Sequence, residues 1–344
     1  MNPIPGWFWG ATIAFIVVLF VFDLFVAVRR PHVVHLREAT LWSVFYVAIA
    51  LAFGGVLWAV SGAAAGTEYF AGWVVEKSLS IDNLFVFVII FARFTVPEEF
   101  QQKVLLFGIA AALSLRCVFI AIGAAAIGMF SWTFLFFGLV LLWTAVQLIR
   151  HRNDEPDVDD NAIVRYARRV LPMTNDFHGG RMVTHESGRR VVTPLLLVFL
   201  AIGSTDIMFA LDSIPAVFGV TREPFIVFTA NAFALLGLRA LFFLVEGLLE
   251  RLVYLALGLS AILAFIGVKL ILHFAHENIS ADVPEIPIPL SLLVILAVLT
   301  VTSIASLIRV RKHPEERAHA IVVTVHRRDR EESPEAGDET PTGP

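Results

Sequence analysis

The sequence predicts an all-α membrane protein of about nine transmembrane helices that include an inverted repeat of three helices plus three. Of its 344 residues, 58% are hydrophobic and only 16% are charged. Soluble domains average about 45–50% apolar and about 25% charged residues. Nine apolar stretches are long enough to cross a bilayer, and similar acidic motifs recur in the two halves of the chain.

The nine spans follow from length, because a hydrocarbon core about 30 Å thick needs about 20 apolar residues per helix. The segments that meet this length are 7–28, 41–60, 69–91, 104–127, 132–149, 192–218, 225–245, 252–274 and 288–308. The first has no basic residue before it and Arg29 and Arg30 after it, the reverse of a secretory signal peptide. We therefore expect residues 1–309 to form one polytopic transmembrane domain.

The orientation follows from the basic residues, which accumulate in cytoplasmic loops. The side that carries Arg29, Arg30 and Arg37 holds 21 of the 26 Lys and Arg residues, whereas the other side holds only Arg222. This predicts an N-terminus outside and a C-terminus in the cytoplasm, with the protein in the plasma (inner) membrane. On the cytoplasmic side we expect a charged loop, 150–190, between the repeats and a disordered polar tail, 310–344.

Two intramembrane motifs carry the acidic residues. The third segment reads EKSLSIDNLFVF (76–87), and the sixth reads DIMFALDSIPAVF (206–218). Each places one carboxylate six residues before another. The corresponding pairs are Glu76 with Asp206, Asp82 with Asp212, and Asn83 with Ser213.

One helix after each acidic motif comes an arginine. GIAAALSLR ends at Arg116 and NAFALLGLR ends at Arg239. Because the third segment runs inward and the sixth runs outward, the duplication predicts an inverted-topology repeat. Secondary transporters with such repeats bind their substrate near the bilayer midplane.

The intramembrane acids are candidate metal ligands. A carboxylate at the bilayer centre costs about 2.5–3.5 kcal/mol on insertion scales, so it needs compensation. Carboxylate oxygens suit hard cations such as Mg²⁺, Ca²⁺ or Mn²⁺. The predicted ligands are Glu76, Asp82, Asp206 and Asp212, with Asn83, Ser213 and Asn231 as secondary ligands.

The alternative is that these acids form buried ion pairs that only fix helix packing. Lys77, Arg116 and Arg239 are the predicted counter-ions. Three cations against four acids leave one carboxylate unpaired, which favours a cation site. We expect Asp23 to pair at the membrane interface with the neighbouring arginines.

Pro215 predicts a break in the sixth segment. Proline lacks an amide hydrogen and crowds the carbonyl four residues earlier, here that of Leu211, next to Asp212. The carbonyls freed by such a break would add oxygen ligands to the site.

Several functional classes are disfavoured. The single cysteine, Cys117, excludes an intrachain disulfide and a thiolate metal cluster. The net charge of -4 disfavours nucleic acid as a partner. The sequence contains no GxxxxGK[ST] motif for an ATP-driven pump and no nucleophile–base constellation for an enzyme.

The strings GWVVEKSLSIDNLFVF and STDIMFALDSIPAVFGVTREPFIVFTANAFALLGLRALFF closely resemble the signatures of the TerC family of integral membrane proteins. The resemblance runs from about residue 20 to residue 308. It implies a multispanning fold related to the LysE superfamily of exporters, manganese export and, in some members, tellurium resistance. It also implies that Glu76, Asp82, Asp206 and Asp212 are the family's intramembrane acids. Family members often carry a glutamate where this chain has Gly203.

The leading functional expectation is a secondary transporter that exports Mn²⁺ or a similar hard divalent cation, in exchange for protons and with no permanently bound cofactor. The expected partners are the cation and the lipid bilayer. The alternative is a membrane scaffold that recruits cytoplasmic stress-response proteins through the loop and tail. Direct tellurite transport ranks last, because an anion gains nothing from a carboxylate cluster unless Arg116 and Arg239 dominate the site.

Overall fold

The computed structural model describes residues 4–29, 36–150, 162–174, 176–186, 189–246 and 254–312. The described chain is mainly helical. Its helices are α1 (Gly6–Arg29), α2 (Leu36–Ser61), α3 (Ala63–Arg93), α4 (Glu98–Met129), α5 (Thr133–Arg150), α6 (Ala162–Val170), α7 (Pro194–Phe218), α8 (Pro224–Leu235), α9 (Leu238–Glu246), α10 (Leu255–Asn278) and α11 (Ile288–Lys312).

Each of the nine predicted segments coincides with a helix or, in the seventh, with the pair α8 and α9. In the described part of the chain, seven helices are long and apolar enough to cross a membrane: α1, α2, α4, α5, α7, α10 and α11. The α8–α9 pair meets the same measure as one span bent by 43°. Helix α3 has 31 residues, but Glu76, Lys77 and Asp82 interrupt its apolar sequence.

The predicted break at Pro215 is wrong, because α7 is continuous from Pro194 to Phe218. Pro215 lies in the last turn, and the amide of Gly219 donates to its carbonyl oxygen at 2.9 Å. A proline there removes one backbone hydrogen bond close to the helix end. The bonds that remain are enough to carry the helix through it.

The break lies instead in the seventh span, between α8 and α9. Gly237 has a φ of +78°, a conformation that residues with a Cβ rarely adopt. A Cβ on Gly237 would also lie 2.6 Å from the Cβ of Tyr46. At the end of α8, the ammonium of Lys77 donates to the carbonyl of Ala234 at 3.1 Å. A cation there satisfies a terminal carbonyl and the negative end of the helix.

Helix α3 runs through the middle of the bundle, antiparallel to α7. Val75 and Leu79 share one buried cluster with Ala210 and Ile214 of α7. Further along α3, Leu84 shares another cluster with the beginning of α7. The two helices therefore run in opposite directions along the bundle axis. The second acid of each motif, six residues after the first, consequently lies on the opposite side of the centre from the second acid of the other motif.

The loop between the halves contains a folded unit. Strands β1 (Val183–Glu186) and β2 (Arg189–Val192) form an antiparallel hairpin, preceded by a 3-10 turn at His178–Gly180. The ammonium of Lys103 on α4 donates to the carbonyl of Gly180 at 2.8 Å. Hydrogen bonds with Thr174 and His178 lower the pKa of Glu186. The predicted disorder of the tail concerns residues that lie almost wholly outside those described.

We expect Gly237→Ala to destabilise the protein, because the new Cβ meets Tyr46 and a positive φ costs about 1–3 kcal/mol. Thermal unfolding of the full chain in detergent measures this. Gly128→Ala is the matched control, since a Cβ at that helical position has no atom within 4 Å. Equal melting temperatures for the two variants would show that the break does not depend on Gly237.

Candidate cation site at the centre of the bundle

Arg116 of α4 is fully buried and contacts three other helices. Its guanidinium pairs with Glu76 of α3 and lies 3.4 Å from the Oδ1 of Asp206 on α7. The same group donates to Ser213 Oγ at 3.1 Å and to Asn231 Oδ1 of α8 at 2.8 Å. One cation therefore connects α3, α4, α7 and α8, and binds the first acid of both sequence motifs.

Helical periodicity aims these polar side chains inward. Arg116 continues a buried stripe on α4 with Leu105, Ile109, Ala112 and Ile120. Residues three and four apart share one helix face, so the guanidinium occupies a position where core packing is otherwise apolar. Asp206 likewise follows Ile202 and precedes Ala210 on the buried face of α7.

Several polar atoms of the cluster remain without a hydrogen-bond partner. Ten buried side-chain atoms of the described residues lack a hydrogen-bond partner, and five of them belong to this cluster or to the next turn of α3: Glu76 Oε2, Asp206 Oδ2, Ser80 Oγ, Arg116 Nε and Asn231 Nδ2. An unmade buried hydrogen bond costs about 1–3 kcal/mol, more at a charged group. Two carboxylates against one guanidinium also leave one negative charge. The spare oxygens are donors of the kind that hard cations prefer.

Asp82 and Asp212 do not join this cluster. Each lies six residues beyond the first acid of its motif, about 9 Å along the helix axis at 1.5 Å per residue. Because α3 and α7 are antiparallel, Asp82 lies toward one end of the bundle and Asp212 toward the other. The hydroxyl of Thr144 on α5 donates to Asp212 at 2.8 Å.

The four carboxylates are therefore spread along the bundle axis rather than placed around one point. Among the residues described, no three His, Cys, Asp or Glu side chains are grouped as metal ligands. The predicted arrangement of all four acids on one ion is not formed in this structure. Their individual roles as cation ligands stay predictions, as do those of Asn83, Ser213 and Asn231. Asn83 is buried beside Asp82.

Of the predicted counter-ions, Arg116 contacts two of the acids, whereas Lys77 and Arg239 bind elsewhere. Lys77 caps α8, as described above. Arg239 of α9 lies 2.8 Å from Asp23 Oδ1 on α1 and 3.2 Å from Gln102 Oε1 on α4. The hydroxyl of Tyr46 on α2 donates to the same Asp23 oxygen at 3.0 Å.

This second cluster corrects the expectation for Asp23. Asp23 is 7% exposed and pairs with Arg239 of α9 inside the bundle, rather than with the neighbouring arginines of the sequence. Sequence carried a signal, because Asp23 lies on one helical stripe with Phe8, Thr12, Ile16 and Leu19, all of them buried. Its neighbours along the chain, Arg29 and Arg30, favoured the interfacial interpretation instead.

A cavity of about 830 Å³ opens at the end of the bundle where α3 begins and α7 ends. Three carboxylates line it, those of Glu68, Glu223 and Glu285, together with the ammonium of Lys269. Thr221 donates to Glu68 at 2.5 Å. Sequence reasoning assigned no role to Lys269.

Apolar helices around a buried charged core define a multi-pass integral membrane protein. The chain belongs to the TerC family, described as the Integral membrane protein TerC family, which it matches over residues 61–314. The resemblance noted from the motifs is thereby confirmed. No solved structure matches the chain.

Relatives cover most of the chain. It is 43% identical to an uncharacterized membrane protein of Myxococcus xanthus, over 92% of this chain and 96% of that protein. It is 48% identical to an uncharacterized membrane protein of Mycobacterium tuberculosis, over 79% and 70%. It is 36% identical to an Escherichia coli protein named "Putative membrane-bound redox modulator Alx", over 90% and 97%.

We expect Arg239→Gln to lower the stability by about 3–5 kcal/mol, because it leaves Asp23 charged and buried without its partner. Thermal unfolding in detergent checks this. The Asp23→Asn, Arg239→Gln double variant should recover part of the loss. Additive losses in the double variant would contradict the coupling. Arg222→Gln, which breaks a half-exposed pair with Glu277, is the control and should cost under about 1 kcal/mol.

Proposed function

We propose that this protein is a secondary transporter that exports Mn²⁺, or a similar hard divalent cation, from the cytoplasm across the plasma (inner) membrane. The observation that carries the proposal is the convergence of Glu76 and Asp206, one from each half of the chain, on a single buried guanidinium. Both carboxylates retain an oxygen without a hydrogen-bond partner among the described residues.

The proposed topology has nine spans, with the N-terminus outside and the C-terminus in the cytoplasm. The charge asymmetry supports this orientation. The antiparallel course of α3 and α7 supports an inverted repeat, with the central cluster between its halves. Transporters with such repeats expose a midplane site alternately to the two sides.

Arg116 serves in this proposal as a tethered cation that occupies the site when cargo is absent. A divalent ion that reaches Glu76 and Asp206 competes with the guanidinium for the same oxygens. A buried carboxylate pair without any cation is costly, so one cation or the other must be present. Ser213 and Asn231 already bind Arg116 through their oxygens and are the proposed secondary ligands.

Asp82 and Asp212 act as transient cation-binding residues, one on either side of the central cluster. In the proposed orientation Asp82 lies on the cytoplasmic side and Asp212 on the outer side, where the large cavity opens. An outward-moving ion passes Asp82, then the central pair, then Asp212. Protons are the proposed counter-ion, because protonation of the carboxylates along this path balances their negative charge once the cation has left.

We expect Mn²⁺ flux in proteoliposomes containing the full chain, and at least an approximately tenfold loss in the Asp82→Asn, Asp212→Asn double variant, equivalent to about 1.4 kcal/mol. Parallel assays with Ca²⁺ and Mg²⁺ define the preferred ion. Each single variant should also lose flux, since the two residues act in series.

The control is Asp282→Asn, an exposed loop carboxylate outside the cavity, which should keep wild-type flux. Wild-type Mn²⁺ flux in the double variant would remove the carboxylates from the pathway. Folded wild-type protein that moves none of the three ions would refute the exporter proposal.

Gly203 offers a second experiment. It lies one helical turn before Asp206 on α7, and an added Cβ there has no atom within 4 Å. We expect Gly203→Glu to lower the KM for Mn²⁺ by at least about threefold, or about 0.7 kcal/mol, because it restores a carboxylate near the site. The uncharged isostere Gly203→Gln is the control. Equal KM values for the two variants would show that charge at position 203 does not reach the ion.

A second candidate function is a membrane scaffold for cytoplasmic stress-response proteins. The observation that favours it is the folded segment made of α6, the 3-10 turn and the hairpin, in which the carbonyl of Gly180 in the turn accepts a hydrogen bond from Lys103 of α4. The name of some relatives, "Putative membrane-bound redox modulator Alx", suggests a redox role. The one cysteine in this sequence, however, cannot form an intrachain dithiol couple. A variant lacking residues 162–192 that keeps Mn²⁺ flux but loses resistance to metal or tellurite stress in cells would favour the scaffold.

A further inference from the structure

Helix α6 presents a stripe of exposed apolar side chains. Ile163, Tyr166 and Val170 follow one another at spacings of three and four residues, and are 45%, 69% and 58% exposed. At 100° per residue they lie within one 60° arc of the helix surface. An exposed apolar stripe outside the membrane-crossing helices marks a surface that contacts something other than water.

The same helix is attached to the ends of membrane-crossing helices. Val164 is buried in one cluster with Phe91 at the end of α3, and with Leu195 and Val198 in the first turns of α7. The guanidinium of Arg168 lies 5.5 Å from the centre of the Phe94 ring, just past α3. These contacts place α6 beside the end of α3 and the beginning of α7, a helix long and apolar enough to cross a membrane, and therefore at one end of the bundle.

The charges of α6 occupy the opposite arc. Arg165, Arg168 and Arg169 project within about 100° of one another and, with Val164, line a cavity of about 350 Å³. The helix itself contains no acidic residue. A short helix with arginines on one arc and apolar side chains on the other is typical of helices that lie in the plane of an anionic membrane surface.

We propose that α6 lies in the membrane interface, with Ile163, Tyr166 and Val170 among the lipids and Arg165 and Arg169 against anionic phospholipid headgroups. The contact with lipid stands independently of transport. Only its assignment to the cytoplasmic leaflet rests on the orientation given under the proposed function. Tyrosine suits this place because its ring is apolar and its hydroxyl reaches water.

Spin labelling of the full chain tests the proposal. A nitroxide is placed at Tyr166→Cys in a Cys117→Ala background, and the matched control is placed at Arg168→Cys, on the opposite arc but outside the proposed headgroup pair of Arg165 and Arg169. Both proteins are reconstituted in vesicles of phosphatidylcholine with phosphatidylglycerol, and in phosphatidylcholine alone. Collision with oxygen, which concentrates in lipid, is compared with collision with a water-soluble nickel complex.

We expect the label at 166 to show a several-fold higher oxygen-to-nickel ratio than the label at 168, and the ratio at 166 to fall without phosphatidylglycerol. Arg165→Gln with Arg169→Gln, added to the 166-labelled protein, should remove the dependence on phosphatidylglycerol. Equal nickel accessibility at both sites would place the stripe in water and overturn the proposal. Low access of both reagents at 166 would place it against protein, with the same consequence. A high ratio that ignores phosphatidylglycerol would overturn the headgroup contact.

Since the label at 166 reports on lipid whether or not any ion is carried, its result is separable from the flux assays. Mn²⁺ flux together with a water-exposed label at 166 would refute only the lipid contact. A label at 166 that lies in lipid, together with the absence of flux, would refute only the proposed transport function.

Discussion

The burial of Arg116 is the constraint on which the centre of this protein depends. A guanidinium cannot lose its charge in a protein, so a fully buried one has to find acceptors. Glu76, Asp206, Ser213 and Asn231 supply them from three different helices. The positions of α3, α7 and α8 around α4 are thereby tied to one side chain. The cost of leaving any of these charges unpaired in a low-dielectric interior makes the arrangement specific.

The equivalent arginine of the second half plays a different part. Arg239 joins α9 to α1, α2 and α4 through Asp23 and Gln102, with Tyr46 on the same carboxylate. It follows directly on the break at Gly237, which α4 does not share. Together with Lys77 at the end of α8, it holds a bent span in place from both sides of the bend. The two halves therefore have similar sequences and yet different roles in the bundle.

This asymmetry gives the bundle one closed end and one open end. The central acids are held by Arg116, one end of the bundle is joined by the Asp23–Arg239 pair, and the other end contains the open cavity beside Glu68 and Lys269. In the proposed orientation the closed end faces the cytoplasm and the open end faces outside. The antiparallel course of α3 and α7 then sets Asp82 and Asp212 on opposite sides of the centre, as an ion path between the two faces requires.

Sequence by itself determined that the chain is a multi-pass membrane protein of the TerC family and where most of its long helices lie to within about six residues. These are local properties, because apolar length and motif spacing are carried by consecutive residues. Tertiary structure alone decided which charges meet, that the chain bends at Gly237 and not at Pro215, and that Asp23 turns inward to Arg239. It also separated the four acids that the motifs suggested would converge. The physical reason is that a pairing partner depends on which helices adjoin and in which direction they run, and a proline close to a helix end costs too little to break it.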